Sequence, residues 1–520
     1  MGSVMAVAMT AAVAAQAAEV PDALKDFDAR VERVRQTFDV PGIAVAIVKD
    51  GQVVLERGYG VREQGKPGAV TATTQFAIAS NTKAFTAASL SILADEGKLR
   101  LDDRVIDYLP GFRMSDPYVT GEMRIRDLLA HRSGLSLGAG DLLFWPTTTY
   151  STDEVVARLA KVPLKGGFRD HYAYDNILYA VAQKVIERVS GMSYAQFLRA
   201  RIFEPVGMTG TRFNADHLRP GDAPAVGHAK YDFNTLRTVA PLTWANNSGA
   251  GGVYSSVHDM AKWMLVQLAG GRLADGTPLF SEQRQHEMWS VITPIAISQP
   301  SVPELAPATP NFAGYGEGWF SSDYRGHRLV WHTGGWPGMV SRLTLLPEQK
   351  LGVIVLTNQE VGAAFNAITM QVLDAYLGAS GTDWTDAYAK SVAKEQEKAD
   401  ESWSKHVAAR DAKSAPSLPL SHYTGRYRDP WYGDVVIRRD GDRLRLQFAK
   451  TAQLLGTLEH WQHDTFIVRW DDRSLNADAF ATFALTPDGK VRDLRMEPVS
   501  PMTDFSFDFQ DLVLVPVPAE

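Results

Sequence analysis

A continuous apolar stretch, Gly42-Ile43-Ala44-Val45-Ala46-Ile47-Val48, is followed by the turn signal Asp50-Gly51 and then by Gln52-Val53-Val54-Leu55. An apolar, β-branched run of this length that ends in Asp-Gly predicts a buried strand that turns back in a hairpin. A second pair of strand-like runs, Arg342–Pro347 and Leu351–Asn358, lies much further along the chain. The sequence therefore predicts two hairpins, one at each end of a long segment.

The segment between these hairpins has mainly helical patterns. Apolar residues recur at helical spacing in Thr82–Glu96 and again in Ile177–Arg188. Strands from both ends that flank a helical middle predict an α/β (α+β) unit over residues 25–378. In this unit the two chain ends meet in one antiparallel sheet, and a helical subdomain is inserted between them.

Two further segments follow this unit, as expected for a chain of 520 residues, which is too long for one ordinary core. Residues 379–419 are rich in Ala, Lys, Glu, Asp and Ser and end in a Pro- and Ser-rich stretch, which predicts a solvated helical connector. Residues 420–520 contain short alternating strand patterns, with turn signals at Asp440-Gly441-Asp442 and Pro487-Asp488-Gly489. We expect an all-β domain there, either a sandwich or a small barrel.

Composition excludes several classes of function. The formal net charge is −7, which argues against nucleic acid or an anionic membrane surface as the partner. The chain has no cysteine, so disulfides, thiolate metal ligands and cysteine nucleophiles are excluded. A hydrophobic content of 45% with 22% charged residues is that of a globular protein.

The first residues have the pattern of an export signal. Residues 1–18 are rich in Met, Val and Ala, and Ala15-Gln16-Ala17 matches a signal-peptidase site. We expect residues 1–18 to be a signal-peptide remnant and the protein to be periplasmic or secreted; a frayed apolar N-terminus is the alternative. No other apolar run is long enough to cross a bilayer, so no integral membrane segment is expected.

The first candidate catalytic motif is Ser80-Asn81-Thr82-Lys83, which opens a predicted helix between the apolar runs Phe76–Ala79 and Ala84–Phe85. A serine hydroxyl is a poor nucleophile until a neighbouring base takes its proton. The i, i+3 spacing puts Lys83 on the same side of the helix as Ser80. Burial would lower the affinity of this lysine for its proton, which suits it to act as the base.

The second candidate motif is Tyr174-Asp175-Asn176, just before the predicted helix that begins near Ile177. A phenol beside a lysine can shuttle a proton, and the amide of Asn176 can both donate and accept hydrogen bonds. The alternative is that Tyr174 and Asn176 only cap the helix.

The third candidate motif, His332-Thr333-Gly334-Gly335, follows the strand-like run Arg328–Trp331. A donor and a hydroxyl side by side suit a carboxylate, and the glycines let the backbone approach a substrate closely. A packed core histidine is the alternative interpretation of His332.

One rival motif names a different serine. Gly134-Leu135-Ser136-Leu137-Gly138 matches the nucleophile elbow of α/β-hydrolases, which requires a strand before the serine and a helix after it. Here Ile125–His131 has a helical pattern and Leu137–Asp141 reads as a loop. We therefore favour Ser80 over Ser136.

Other matches are weaker. The spacing of Ser80 and Lys83 recurs at Ser391–Lys394 and Ser402–Lys405, but both pairs lie in the charged connector, where no pocket is expected. His460 and His463 offer two ring nitrogens without a third ligand nearby, so no metal site is predicted. Gly314–Gly318 is not followed by a helix and is interpreted as a tight strand entry, not a phosphate loop.

Taken together and in this order, the three motifs resemble those of class C β-lactamase-like serine hydrolases, a family that includes penicillin-binding proteins, D-aminopeptidases and family VIII esterases. The resemblance covers about residues 25–378 and extends to supporting stretches at Leu128–Leu135, Ile202–Met208, Ala250–Ser256 and Tyr315–Trp319. It implies a β-lactamase/transpeptidase-like fold and acyl transfer through a covalent acyl-enzyme. No metal or organic cofactor is implied.

The resemblance also implies roles for single residues. Ser80 would be acylated, Lys83 and Tyr174 would share the proton transfers, and Asn176 would order the site. From the third motif, His332 and Thr333 would face a substrate carboxylate or developing charge.

The same resemblance implies that the backbone N–H groups of Ser80 and Gly335 form the oxyanion hole. Gly334 directly precedes Gly335 in the third motif. Each such donor lowers a barrier of this kind by roughly 3 kcal/mol.

Two departures from the family pattern bear on the substrate. Class C β-lactamases usually carry a lysine where this chain has His332, and a histidine is largely neutral above its ordinary pKa of about 6.5. A fixed cationic clamp is therefore lost, which favours a peptidase or esterase over an efficient β-lactamase. Asp175 stands where the family often has a small residue and would add negative charge near Lys83.

The last domain resembles the lipocalin-like domain found on some peptidases of this group, and it opens with Tyr423-Thr424-Gly425-Arg426-Tyr427. Two interpretations stay open: a stabilising or oligomerising module, or one whose loop narrows the catalytic cleft. Loop residues 138–150, with Phe144 and Trp145, are expected to govern substrate choice.

The sequence thus predicts an exported serine hydrolase that cleaves amide bonds in small or D-residue-containing peptides, that is, a linear peptide hydrolase. The alternatives are a carboxylesterase with weak β-lactamase activity and, from another class, a non-catalytic penicillin-recognising binding protein. The expected partner is a small peptide, amide or ester substrate, and a homo-oligomer stays open.

Overall fold

A computed structural model describes residues 22–219 and 221–518 of the chain. The predicted signal-peptide remnant, residues 1–18, lies outside the described residues. Within them, no helix combines the length and the apolar character needed to cross a membrane.

One eight-stranded antiparallel sheet organises the first part of the chain. The strands of this part are β1 (Gly42–Lys49), β2 (Gln52–Gly60), β3 (Phe76–Ala77), β4 (Arg212–Phe213), β5 (His228–Tyr231), β6 (Thr235–Thr238), β7 (Val253–Ser255), β8 (Thr293–Pro294), β9 (Ala313–Tyr315), β10 (Phe320–Tyr324), β11 (His327–Trp336), β12 (Met339–Leu346) and β13 (Leu351–Thr357). The sheet has the order β2-β1-β13-β12-β11-β10-β9-β8. Strands from both ends of the segment therefore lie side by side in its centre.

Both predicted hairpins are present, and their pairing closes the sheet. Asp50 and Gly51 have φ angles of 52° and 79°, the left-handed conformation that a tight turn between β1 and β2 requires. β12 and β13 form the second hairpin, and β1 pairs with β13 from Ile43 opposite Thr357 to Lys49 opposite Leu351. The predicted α/β (α+β) unit with an antiparallel sheet is confirmed.

β1 is apolar from Gly42 to Val48, the residues that are buried between the two covered faces of the sheet. Ala44, Ala46 and Val48 face the core that contains the central helices, whereas Ile43 and Ile47 belong to the core on the opposite face. Side chains of a strand alternate between faces, so a strand covered on both sides needs apolar residues at every position.

Helices cover both faces of the sheet. They are α1 (Phe27–Thr37), α2 (Lys83–Asp95), α3 (Val105–Tyr108), α4 (Pro117–Glu122), α5 (Thr152–Arg158), α6 (Ile177–Ser190), α7 (Tyr194–Leu198), α8 (Glu204–Val206), α9 (Ser248–Gly251), α10 (Val257–Leu268), α11 (Glu282–Trp289), α12 (Gly362–Leu377) and α13 (Trp384–Ala409). Helices α1 and α12 lie on one face. Helix α2 lies on the other and is buried from Lys83 to Ala94, as expected for a helix that is apolar on almost every side.

The segment after α12 is one long helix, α13, which starts from a buried anchor. Asp383 accepts a hydrogen bond from the Asp386 N–H and so caps its first turn. The indole of Trp384 is buried and donates to the Asp374 carboxylate at 2.8 Å. Most of the remaining side chains are exposed or half-buried, in keeping with the charged composition.

The last part of the chain folds into a second eight-stranded antiparallel sheet. Its strands are β14 (Gly425–Asp429), β15 (Gly433–Asp440), β16 (Arg443–Phe448), β17 (Leu455–Gln462), β18 (Thr465–Trp470), β19 (Ala479–Leu485), β20 (Val491–Pro498) and β21 (Val515–Pro516), in the order β20-β19-β18-β17-β16-β15-β14-β21. A bridge between Leu494 and Leu514 brings the two edges together. This nearly closed barrel confirms the all-β prediction and fits a lipocalin-like domain.

A stretch between β20 and β21, residues 503–511, leaves the barrel and lies against the first part of the chain. We call it the C-terminal segment. The Asp508 carboxylate accepts hydrogen bonds from the Gly140 N–H at 2.7 Å and the Leu142 N–H at 3.2 Å. The Phe505 ring lies 5.9 Å from that of Tyr174, centroid to centroid. The barrel thus reaches the candidate catalytic residues.

Candidate active site

Ser80 lies where a turn, a helix and a strand meet. It belongs to the 3₁₀ turn Ala79–Thr82, which leads directly into α2. Ala79 has a φ of 49°, which is uncommon for a residue with a Cβ atom, and such conformations persist where the surroundings enforce them. Gly334 of β11 approaches this turn so closely that a Cβ there would lie 2.2 Å from the Ile78 carbonyl oxygen. Only glycine permits this packing, which holds Ser80 against the strand.

Lys83 is fully buried and points at Ser80. Its Nζ donates to Ser80 Oγ at 3.0 Å, to Asn176 Oδ1 at 2.8 Å and to the Ala250 carbonyl oxygen at 3.1 Å. Burial lowers the pKa of Lys83 to about 7, although the negative charges of Asp141 and Asp175 oppose this shift. A large fraction of Lys83 is therefore a neutral amine at neutral pH, in hydrogen-bond contact with the candidate nucleophile.

Tyr174 and Asn176 lie on the other side of the lysine. The Lys83 ammonium nitrogen is 4.8 Å from the centre of the Tyr174 ring. Burial raises the pKa of the Tyr174 phenol well above its ordinary value, while a hydrogen bond with Ser80 acts in the opposite direction. The phenol is therefore protonated at neutral pH. Asn176 directly precedes α6 and is buried with its amide oxygen on Lys83.

The side chain of Asp175 points into the protein. The sequence did not predict its direction. Its carboxylate is fully buried and accepts a hydrogen bond from Ser133 Oγ at 2.9 Å. Its backbone N–H donates to Nδ1 of the buried His131 at 3.2 Å. The negative charge of Asp175 acts to raise the pKa of Lys83, against the effect of burial.

His332 is buried in β11 and hydrogen-bonded on both ring nitrogens. Nε2 lies 2.8 Å from the Tyr315 hydroxyl, and Nδ1 lies 2.6 Å from the Thr333 carbonyl oxygen. The carbonyl can only accept, so Nδ1 carries the proton and Nε2 accepts from Tyr315. Burial and the positive charge of Lys83 hold the pKa of His332 well below its ordinary value. At neutral pH this residue is a neutral group and supplies no cationic clamp.

The other residues of the third motif border open space. Thr333 is half-buried and Gly335 is exposed on β11. A Cβ added at Gly335 would meet no atom within 4 Å. A ligand can therefore approach the backbone of β11 at this position, beside the turn that carries Ser80.

Two contributors to the site have no recognisable local motif. Asp141 is fully buried and accepts a hydrogen bond from Asn176 Nδ2 at 2.8 Å. Ser506, from the C-terminal segment, donates to the same Asp141 oxygen at 2.8 Å. An acidic residue beside the apolar run Leu142-Leu143-Phe144 was the available signal for Asp141, because a buried carboxylate needs partners. No signal in the sequence connects Ser506 to residues so far away in the chain.

The rival serine lacks the surroundings of a nucleophile elbow. The helical pattern expected over Ile125–His131 gives only a 3₁₀ helix, Ile125–Leu128, because the chain turns away from helical geometry after Leu128, with a φ of 53° at His131. No strand precedes Ser136 within this described stretch, and a 3₁₀ helix of three residues, Asp141–Leu143, follows it. Ser136 Oγ hydrogen-bonds to the Asp511 carboxylate at 3.2 Å.

The remaining candidates are also accounted for. Ser391 shares a hydrogen bond with Ser301, whereas Lys394 pairs with Glu397 on the surface of α13. His460 Nε2 lies 2.9 Å from the carbonyl oxygen of His463. Across residues 22–219 and 221–518, no group of His, Asp and Glu side chains has the geometry of a metal site.

A cleft of about 600 Å³ opens beside the site, between the first part of the chain, α13 and the barrel. Gly335 and Trp336 of β11 line it on one side, and Asp504 and Phe507 of the C-terminal segment line it on another. The Trp145 ring lies 6.4 Å from that of Trp336. A cleft of this size with aromatic walls is suited to a small organic substrate.

Comparison with known proteins identifies the family of the chain. A family profile described as beta-lactamase matches residues 27–377. The chain belongs to the beta-lactamase family. As a member of that family with named hydrolases among its relatives, it is a serine hydrolase with a β-lactamase/transpeptidase-like fold. A second profile, described as a domain of unknown function (DUF3471), matches residues 409–516.

The similar proteins include two that are named as hydrolases. The chain is 27% identical over 483 residues to an unguisins hydrolase of Aspergillus campestris, with 88% of this chain and 87% of that protein covered. It is also 27% identical over 357 residues to Protein flp of Staphylococcus aureus, with 65% of this chain and 63% of that protein covered. The match to the first of these proteins is long enough to include parts of both domains of this chain.

Solved structures share the fold. An octameric penicillin-binding protein homologue from Pyrococcus abyssi superimposes with a TM-score of 0.58 at 22% identity, covering 95% of this chain and 99% of that one. The D-amino acid amidase from Ochrobactrum anthropi SV3 gives a TM-score of 0.56 at 21% identity, covering 68% and 99%. At these identities the likeness extends to the fold alone.

Proposed function

We propose that this serine hydrolase cleaves amide bonds of small peptides, including peptides with D- or otherwise unusual residues, through an acyl-enzyme on Ser80. The observation that carries this proposal is the hydrogen bond from the buried Lys83 to Ser80 Oγ at 3.0 Å. A lysine with a pKa of about 7 is matched to the task of taking a proton from a serine near neutral pH.

Acylation uses the neutral form of Lys83. Its Nζ takes the hydroxyl proton while Ser80 Oγ bonds to the substrate carbonyl carbon, and the electron pair of the C=O bond moves onto the oxygen. This oxyanion is held by the backbone N–H groups of Ser80 and Gly335. The C–N bond then breaks, the departing nitrogen takes up the proton, and an ester on Ser80 remains.

Tyr174 is suited to deliver a proton, not to remove one. Its phenol is kept protonated by burial, so Lys83 is the base and Tyr174 relays the proton towards the leaving group. In the second half of the reaction, Lys83 takes a proton from water, whose oxygen attacks the ester carbon. The acid product leaves and a proton returns to Ser80 Oγ.

The surroundings of the serine favour peptides or esters over efficient β-lactam turnover. A neutral His332 replaces the cation that would hold a β-lactam carboxylate. In the cleft, Glu360 and Asp504 present carboxyl groups whose pKa values are raised by burial, that of Glu360 to about 8, while Lys230 pairs with Asp39 at 2.9 Å. A cationic group of a substrate, such as a free amino terminus, would favour the ionised form of these carboxyl groups and would also suit the aromatic walls.

The relatives support amide chemistry in general terms. One is named for the hydrolysis of unguisins, and one solved structure of the same fold is a D-amino acid amidase. An ester would react by the same steps with a better leaving group, so carboxylesterase activity is the second candidate. A comparison of D- and L-aminoacyl anilides, p-nitrophenyl esters and nitrocefin separates these substrate classes.

The test of the proposal is covalent labelling of the purified protein with a fluorophosphonate probe, followed by intact-mass measurement and peptide mapping. We expect one adduct per chain, on Ser80. The Ser80→Ala variant should lose it, and the Ser136→Ala variant, which removes the rival serine, should keep it. An unlabelled wild type, or an adduct that moves with Ser136, would overturn the proposal.

A further inference from the structure

A chain of hydrogen bonds runs from the barrel to the candidate nucleophile. Ser506 Oγ donates to Asp141 Oδ2 at 2.8 Å, and Asn176 Nδ2 donates to the same oxygen at 2.8 Å. The other end of the Asn176 amide, Oδ1, accepts from Lys83 Nζ at 2.8 Å, and Lys83 in turn contacts Ser80. Each link is of normal hydrogen-bond length.

Only one orientation of the Asn176 side-chain amide lets it accept a hydrogen bond from Lys83. An amide offers an acceptor on one side and donors on the other, and a reversed amide would present its N–H groups to Lys83. A neutral lysine that is to take a proton from serine needs its nitrogen oriented towards Ser80, and the amide oxygen of Asn176 receives one of its N–H groups. Asp141 Oδ2 accepts from both Ser506 and Asn176, so it selects the orientation of the Asn176 amide in which Oδ1 faces Lys83.

The C-terminal segment holds the backbone on either side of Asp141 as well as the Asp141 side chain. Asp508 receives the backbone N–H groups of Gly140 and Leu142, which flank Asp141. Asp141, Ser506 and Asp508 are all buried. Asp141 Oδ1 has no hydrogen-bond partner among the described residues, so Oδ2 alone carries both of the side-chain contacts.

The titratable groups that face Asp141 come from several elements. They are Lys83 of α2, the Tyr174 phenol, and Asp504 and Asp508 of the C-terminal segment. Burial raises the pKa of Asp141 to about 8, and the hydrogen bonds from Asn176 and Ser506 and the charge of Lys83 act against this shift. Removal of the Ser506 hydroxyl would therefore make Asp141 less acidic.

We propose that Asp141 is a positioning residue of the hydrolase, which orients Asn176 and through it Lys83, and that Ser506 of the barrel completes this support. The barrel then takes part in the reaction without touching substrate. This inference rests on the proposed function, since it concerns the basicity and orientation of Lys83.

The experiment compares the wild type with Ser506→Ala, Ser506→Thr, Asp141→Asn and Ser500→Ala in the full-length chain. Ser500 belongs to the same connection after β20 but contacts the Met502 N–H instead of Asp141. The readout is the second-order rate of fluorophosphonate labelling of Ser80, measured from pH 5 to pH 9. Thermal melting of each variant checks that it is folded.

We expect Ser506→Ala to label about two- to tenfold more slowly, as for the loss of one hydrogen bond, and Ser506→Thr to recover most of that loss. The ionised form of Asp141 raises the pKa of Lys83, so a variant in which less or none of this form is present lowers the pKa of Lys83. The midpoint of the pH–rate curve should therefore move to lower pH in Ser506→Ala and further in Asp141→Asn. Ser500→Ala should match the wild type in rate and midpoint.

Two outcomes would overturn the inference. One is a Ser506→Ala or Asp141→Asn variant that is folded and labels with the rate and midpoint of the wild type. The other is a slower rate with an unmoved midpoint in both variants, because a purely structural role would give that result. Labelling of wild-type Ser80 stands separately as the test of the proposed function.

Discussion

The catalytic motifs and the C-terminal segment contribute to the same site in different ways. Ser80 and Lys83 lie one helical turn apart, and their contact follows from the local geometry of α2. Ser506 reaches Asp141 across 365 positions of sequence, through the fold of a separate barrel. Reactive residues within one element have a recognisable spacing in the sequence. A hydrogen bond from another domain has no such sequence pattern.

The motifs and the C-terminal segment also differ in function. In the proposed reaction the motifs supply the nucleophile and base, and the segment supplies packing and hydrogen bonds behind them. Changes in the motifs should therefore remove the reaction, and changes in the segment should only slow it. The predictions below test this ordering, beginning with the largest effect.

The largest effect is expected from Lys83→Met. This substitution removes the base and leaves a side chain of similar length, so turnover and labelling should fall by about 100- to 10,000-fold. The matched control is Lys394→Met, since Ser391 and Lys394 repeat the spacing of the motif on the surface of α13. Steady-state kinetics on a p-nitrophenyl ester would show the contrast. If the Lys83→Met variant kept more than a tenth of wild-type activity, Lys83 would not be the base.

A smaller effect is expected where the segment touches the catalytic unit. Gly138 has a φ of 71°, and a Cβ there would lie 2.6 Å from the Phe505 carbonyl oxygen. Gly191, at the end of α6, has the same φ of 71° but a Cβ there would meet nothing within 4 Å. Both alanine substitutions cost roughly 1 kcal/mol or more in backbone strain, but only Gly138→Ala also displaces the segment.

We therefore expect Gly138→Ala to lower kcat by about tenfold, and Gly191→Ala to lower the melting temperature with kcat near that of the wild type. Circular dichroism melting and steady-state kinetics on the same samples separate the two effects. Equal kcat values in both variants would show that the segment has no part in ordering the site.

The fold was predictable to a large extent because its signals are local. The apolar run of β1 and the Asp50-Gly51 turn predict the first hairpin, and the alternation in Arg443–Phe448 predicts β16 at the residues where it occurs. The helix over Ile125–His131 was overestimated, because tertiary contacts bend this stretch into turns after Leu128. The direction of Asp175 was not predictable, since it depends on Ser133 and His131, which lie on a different loop.

The candidate site was predictable in its residue types and less so in its electrostatics. The sequence identified His332 as a departure from a lysine but not its partner Tyr315, which makes it a neutral acceptor deep in the sheet. The depressed pKa of Lys83 depends on burial, which no single motif encodes. The signal-peptide remnant at residues 1–18 stays a prediction.

The smallest effect is expected from the charge of the cleft. Glu360 accepts the Gly338 N–H and lines the cleft with Asp504. Burial raises the pKa of Glu360 to about 8, so the comparison is made at pH 9, where the group is mostly ionised. There Glu360→Gln should lower the kcat/KM ratio between an aminoacyl anilide and its N-acetylated form by roughly threefold, because a cationic substrate loses one carboxylate. Glu348→Gln is the control, since Glu348 pairs with His327 on the surface. An unchanged ratio in Glu360→Gln would argue against recognition of a cationic group.

The central claim is that a neutral Lys83 activates Ser80. The most direct test is the pH dependence of fluorophosphonate labelling of Ser80 in the wild-type protein. Only the neutral amine accepts the serine proton, and its pKa is about 7. Below that pH the rate should fall about tenfold per pH unit, and above it the rate should level off. A rate independent of pH between 5 and 9, or an adduct on a residue other than Ser80, would contradict the account.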